Sequence, residues 1–315
     1  MKHGSFTQNV KEEITQYEHT KEDYLPLLSG FVKTNGVISI SQRNLKLSLQ
    51  TENSKIAKLI YKAFISVFGI TPQFSYSKKM KLDKCVVYHL HITSGVEEIL
   101  RTLQITDGLE KIWPKEILED DGIRFYVSGV FLASGSVNPP TSSNYHLQMV
   151  VTDEDDAKFL IKILNRFKNE RNMDFKYIAR RNKFVVYLKK ADQITTFLAL
   201  VNASISMMDF ESSRIEKDYI NSENRYQICF NANFQKTLQK AQEQIEDIKV
   251  IDAKLGLIHL NEKEQKLALA RLKNPEAPLS TLVEILMEKD IKISKSGASR
   301  IFTKFHDLAI SLKVK

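Results

Sequence analysis

The sequence predicts an α+β fold: a pseudo-two-fold repeat domain of two αββαββα halves, followed by an all-α domain. Three observations predict it. Residues 28–36 (Leu-Ser-Gly-Phe-Val-Lys-Thr-Asn-Gly) and 127–135 (Val-Ser-Gly-Val-Phe-Leu-Ala-Ser-Gly) are one phrase written twice, 99 positions apart. The segments after the two phrases correspond as well, strand for strand and helix for helix. Beyond residue 258, strand alternation gives way to three short apolar periodicities of helical spacing.

Residues 5–20 open the chain as a helix that Ser5 or Thr7 can cap, with Glu12 and Glu13 in its early turns. In the repeated phrase, Ser29-Gly30 and Ser128-Gly129 are small enough for two helix backbones to approach closely. Gly36 and Gly135 give each helix an end that can take φ > 0. The first phrase leads into Val37–Ile40, the alternating stretch Leu45–Leu49, and a helix over Ile56–Val67. The second leads into Tyr145–Val151 and a helix over Ala157–Phe167. Each half continues with a strand pair (Gln73–Tyr76 with Val86–Ile92, Phe175–Ala179 with Phe184–Leu188) and a closing helix. The repeat domain thus spans 1–212, with halves at about 22–112 and 122–212. A helical linker continues the chain over 213–258, then the last domain over 259–315.

Composition narrows the function. The 315 residues suffice for two domains, with 43% hydrophobic and 27% charged residues, and the formal net charge of +8 suits acidic partners. Cys85 and Cys229 have no CxxC neighbour, which argues against a disulfide framework or zinc site and suits a reducing cytoplasm. Met1-Lys2-His3-Gly4 leads into a polar helix without the apolar core of a signal peptide. No run approaches the roughly 18 apolar residues of a membrane span. Neither G-x-S-x-G nor a Walker phosphate loop is present. His89 and His91 share one strand face without an evident third ligand, so packed or solvated histidines are expected there rather than a metal.

Charge is unevenly spread. Between Lys162 and Lys190 ten Lys or Arg face only Glu170 and Asp174. Arg180, Arg181 and Lys183 flank the expected hairpin turn at Arg181-Asn182. Lys78, Lys79, Lys81 and Lys84 occupy the equivalent connection in the first half, with Tyr76 and Tyr177 adding rings beside the charges. These clusters are either solvated hairpin tips or a surface that tracks phosphates.

In the last domain, Asn261 with Glu264 forms an N-cap and capping acid, and Leu267, Ala270 and Leu272 give the first helix a buried side. Asn274–Pro278 stops it, and Leu279, Leu282, Val283 and Leu286 line one face of the second helix. After a connection at Glu288–Ile293, Ser294 caps a third helix with apolar Ala298, Ile301, Phe302, Phe305 and Leu308. Its opposite face carries Lys295, Ser296, Ser299, Arg300, Thr303 and Lys304, with Gly297 in the first turn. A recognition helix of a helix-turn-helix needs this division: one side anchored, its N-terminal polar side free. Arg300 suits a guanine, Ser296 and Ser299 adaptable contacts, and Lys295 and Lys304 phosphates.

The repeated phrase resembles the L-A-G-L-I-D-A-D-G helix of homing endonucleases, whose two αββαββα halves form a saddle on DNA. In that family the acid before the last glycine of each helix holds a divalent metal at the scissile phosphates. Here those places hold Asn35 and Ser134, which supply no carboxylate charge. Asp120 and Asp121 precede the second helix and do not replace them. No catalytic residue, metal or cofactor is therefore expected. The whole chain, from Ser5 to about Leu312, also resembles the WhiA family. The matching pieces are residues 5–13, both phrases, Asn224-Arg225 with Cys229, residues 232–237, and Ser294–Gly297. Phe230 and Ile228 depart from the linker pattern, and the connection before Ser294 is longer than the family's. The resemblance implies a cytoplasmic, nucleoid-associated, non-enzymatic transcription regulator linked to cell division, chromosome segregation and, in spore-formers, sporulation. It also implies double-stranded DNA as partner, with a further transcription or division factor as a second partner. Two other readings stay open: an active nuclease using other acids, and a module binding an acidic protein.

Overall fold

Both copies of the phrase fold as helices with their small residues turned toward each other. The computed structural model describes residues 5–41, 44–78, 86–108, 110–115, 118, 121–167 and 173–313. Helix α1 (Phe6–Gln16) starts at Ser5, in a capping box with Gln8. The first half runs α2 (Lys21–Asn35), β1 (Val37–Ser41), β2 (Asn44–Thr51), α3 (Ser54–Phe68), β3 (Gln73–Lys78), β4 (Val86–Ile92), α4 (Val96–Thr102). A short ladder of β5 (Thr106–Asp107) and β6 (Glu110–Lys111) leads into the second half. That half runs α5 (Gly122–Ser134), β7 (Ser136–Val137), β8 (Leu147–Val151), α6 (Glu154–Leu164), β9 (Lys176–Arg180), β10 (Lys183–Leu188), α7 (Ala191–Leu200).

The two antiparallel sheets have the same strand order, β1-β2-β4-β3 and β7-β8-β10-β9. Alternation explains their shared inner face. Leu47 lies opposite Ile92 and Leu49 opposite Leu90; in the second sheet Leu147 lies opposite Leu188 and Met149 opposite Val186. All eight are buried, each side chain contributing roughly 1.5–3 kcal/mol. The outer faces carry Lys46, Ser48, Gln50, His89 and His91 in one sheet and Gln148, Lys176, Arg180, Lys183 and Tyr187 in the other.

Helices α2 and α5 cross at Gly30 and Gly129. A Cβ on Gly30 would collide with the Tyr126 carbonyl, and one on Gly129 with the Leu27 carbonyl. Only glycine permits that approach. The terminal glycines differ from expectation: Gly36 (φ −69°) and Gly135 (φ −70°) are extended, not left-handed. Space explains them instead. A Cβ would meet the Val32 carbonyl at Gly36 and the Phe131 ring at Gly135.

The chain divides into two compact units at Asp218/Tyr219. That division falls inside one helix, α8 (Ser204–Lys254), which runs through the expected linker start at 213 without a break. No Gly or Pro interrupts residues 204–254, and the helix ends just before Gly256 at φ +83°. The second unit adds α9 (Glu262–Lys273), α10 (Leu279–Met287) and α11 (Lys295–Lys313). Ile248 and Ile251 of α8 are buried in one core with Leu267, Leu282, Leu286, Ala298, Phe302 and Phe305. The C-terminal part of α8 is therefore a fourth helix of this bundle rather than a connector.

Candidate nucleic-acid interface

The feet of α2 and α5 carry Asn35 and Ser134, the residues before the last glycine of each phrase. Asn35 Oδ1 accepts the Gln50 N–H at 3.0 Å, and Ser134 Oγ accepts the Val150 N–H at 3.1 Å. Each polar group ties its helix to the second strand of its own half, so the symmetry extends to the hydrogen bonds. Higher up, Ser29 Oγ donates to the buried Leu103 carbonyl and Ser128 Oγ to the Arg124 carbonyl. Lys33 Nζ donates to the Ile112 carbonyl at 3.0 Å, 4.1 Å from the Trp113 ring centre and 4.0 Å from Asp156. Burial lowers its pKa to about 8. Among the described residues no three His, Cys, Asp or Glu converge as metal ligands. His89 and His91 stack 6.2 Å apart, hydrogen-bonded to Ser77 and Ser48 respectively.

On the second sheet, Arg181 (φ 48°) and Asn182 (φ 58°) form the expected hairpin turn, both left-handed as a type I′ turn requires. Arg180 lies directly opposite Lys183, with Lys176 on the same outer face. Like charges in register repel, so this face is built at a cost that an anion would relieve. Register separates the rings from these cations. Tyr177 lies on the other face, its hydroxyl donating to Glu154 of α6, and Tyr76 is on the helix side of its own sheet with Lys78. The first-half cluster is therefore not the mirror of the second at Lys78; Lys79, Lys81, Lys84, Cys85 and Asp120 lie outside the described residues.

In the second unit the helix starts follow local chemistry. Asn261 and Glu264 form a capping box for α9. Ser294 Oγ accepts the Gly297 N–H at 3.1 Å and pairs with Ser296 Oγ, starting α11. A Cβ on Gly297 would crowd the Ser294 oxygen at 3.2 Å, which explains a glycine inside a capping turn. Ala298, Phe302 and Phe305 are buried, and Lys295, Ser296, Ser299, Arg300, Thr303 and Lys304 are exposed on one side of α11. Lys304 is not free there: its Nζ is 2.8 Å from Glu264, whose side chain is 6% exposed. An anion would have to compete with that carboxylate, so Lys304 is first a strut between α11 and α9.

Sequence reasoning missed the α8 residues beside α11. Gln244 accepts from Arg271 at 3.0 Å and Asp247 pairs with His306 at 2.9 Å, fixing α8 against α9 and α11. A cleft of about 580 Å³ opens between them, lined by Asn233, Lys236, Thr237 and Lys240 of α8 and by Lys295, Ser299 and Thr303 of α11. The i, i+3, i+4, i+7 spacing of Asn233, Lys236, Thr237 and Lys240 was the available signal.

A twofold helix-and-sheet repeat with neutral residues at its helix feet, followed by a helix-turn-helix, defines the class. Three family models match in sequence: the WhiA N-terminal LAGLIDADG-like domain over residues 24–106, the WhiA LAGLIDADG-like domain over 123–220, and the WhiA C-terminal HTH domain over 224–309. The chain belongs to the WhiA family. It is 39% identical over 314 residues to the probable cell division protein WhiA of Lactobacillus acidophilus, covering 98% of this chain and 99% of that one. Identity to the corresponding protein of Ligilactobacillus salivarius is 36%, covering 98% and 97%. Its fold is similar to the crystal structure of full-length DUF199/WhiA from Thermatoga maritima, with a TM-score of 0.59 at 20% identity over 98% and 99% of the two chains.

Proposed function

We propose that the chain is a sequence-specific, DNA-binding transcription regulator of the WhiA type, acting in cell division and chromosome segregation without cutting DNA. The relatives named as probable cell division proteins support the cellular part. The division of α11 carries the molecular part: Phe302 and Phe305 anchor it, leaving Arg300, Ser296 and Ser299 exposed for a major groove. Arg300 reads a guanine, Ser296, Ser299 and Thr303 make adaptable contacts, Lys295 holds a phosphate, and Ser294 with Gly297 shapes the helix start. The outer-face cations Lys176, Arg180 and Lys183 give the repeat a weaker, sequence-independent grip. The neutral helix feet, each bonded to a backbone N–H, favour a scaffold without phosphodiester chemistry.

Duplex binding by the full chain tests this. Arg300→Ala should cut discrimination between a selected and a random duplex about tenfold or more, in keeping with roughly 1–3 kcal/mol for a bidentate base contact. Equal losses on both duplexes would remove Arg300 from base reading. Nicking of plasmid by the purified chain with Mg²⁺ would favour the nuclease instead. Binding insensitive to salt would favour an acidic protein partner.

A further inference from the structure

We propose that the cleft between α8 and the N-terminal half of α11 is a second DNA-contacting site, holding phosphates of the strand beside the groove that α11 enters. This rests on the duplex-binding function above and extends it from α11 to α8 of the same unit. Four features carry it. Lys236, Lys240 and Lys295 line the cleft, all exposed, and none is in an ion pair among the described residues. This contrasts with Lys266 and Lys304 of the same unit, paired with Glu262 and Glu264.

Lys236 and Lys240 are also i,i+4 neighbours, a like-charge arrangement that destabilises a bare helix and is relieved by an anion between them. Their position is fixed rather than tethered. Ala241 is buried one residue further on, and the Gln244–Arg271 and Asp247–His306 bonds lock the next two turns. Finally, the start of α10 also lines the cleft, and Pro278 gives that helix no side-chain cap. Its N-terminal dipole therefore adds to the lysines. The acids of the cleft, Glu243 and Asp247, lie further along α8, and Asp247 is already paired with His306, about three turns beyond Lys295 on α11. Duplex phosphates, repeating along each strand, fit a row of cations on two facing helices.

The test is a salt titration of duplex binding by the full chain, with a duplex selected from a random pool and a random-sequence duplex. Lys236→Gln with Lys240→Gln should weaken both about equally. It should reduce the slope of log affinity against log salt by about 1.8, at roughly 0.9 per phosphate contact. Lys249→Gln with Lys254→Gln removes the same charge from exposed positions outside the cleft and should leave the slope unchanged. If the two pairs behave alike while Arg300→Ala still erodes discrimination, the cleft is not a DNA site although α11 is. If the unaltered chain binds neither duplex, this inference fails together with the function it rests on.

Discussion

The feet of α2 and α5 and the cleft between α8 and α11 are both polar, and they differ in where their polar atoms go. Asn35 and Ser134 accept backbone N–H groups of their own half. Lys33 is enclosed by Ile112, Trp113 and Asp156. Lys236, Lys240 and Lys295, by contrast, face a cleft with no ion-pair partner among the described residues. A polar group with an internal partner holds the fold, whereas an unpaired cation on a rigid element is free for a ligand. By that measure the feet of α2 and α5 hold the fold, and the cleft between α8 and α11 is open surface.

The largest effect should come from the axis. Gly30→Ala puts a methyl into the Tyr126 carbonyl and should cost about 3 kcal/mol or more, read as a lower denaturant midpoint. Gly69→Ala, at φ +67° with open space around it, should cost only about 1 kcal/mol. Equal shifts would mean that α2 and α5 are not held by their close approach.

Next, Lys304→Ala should lower stability by about 1 kcal/mol by stranding Glu264, with little change in duplex affinity. Lys295→Ala should do the reverse. A swap of those outcomes would erase the distinction between strut and ligand contact. Ser134→Ala leaves the Val150 N–H unpaired and should cost about 1 kcal/mol; Asn35→Ala, beside exposed Gln50, should cost less. Both are measured by urea unfolding.

The smallest effect concerns pH. Burial holds Lys33 at a pKa of about 8 in the folded chain, against 10.5 when unfolded. The unfolded state then binds more protons between those values, so stability rises with pH across that window; the penalty is complete below pH 8. Buried Lys11, also lowered to about 8, acts the same way. Lys33→Met should flatten the rise between pH 8 and 9.5 without abolishing it. An unchanged profile would mean that Lys33 does not titrate there.

Much of the fold was legible because the signals are local or repeated. Duplication located the axial helices, alternation located the strand pairs, and Asn261 and Ser294 marked helix starts through capping chemistry that acts within a few residues. The candidate site was legible only where one helix carries it, as in α11. The sequence could not separate Lys304 from Lys295, because the difference is Glu264, forty residues away.

The residues alone therefore determined the twofold repeat, the missing carboxylates at Asn35 and Ser134, and the split faces of the last helix. Each comes from residue type and period. Tertiary structure alone decided that Gly36 and Gly135 are required for space rather than for φ, that Tyr177 turns away from Arg180 and Lys183, and that α8 joins the C-terminal bundle beside α11. Those outcomes depend on which atoms meet across distant segments, and a linear pattern of polarity does not encode that meeting.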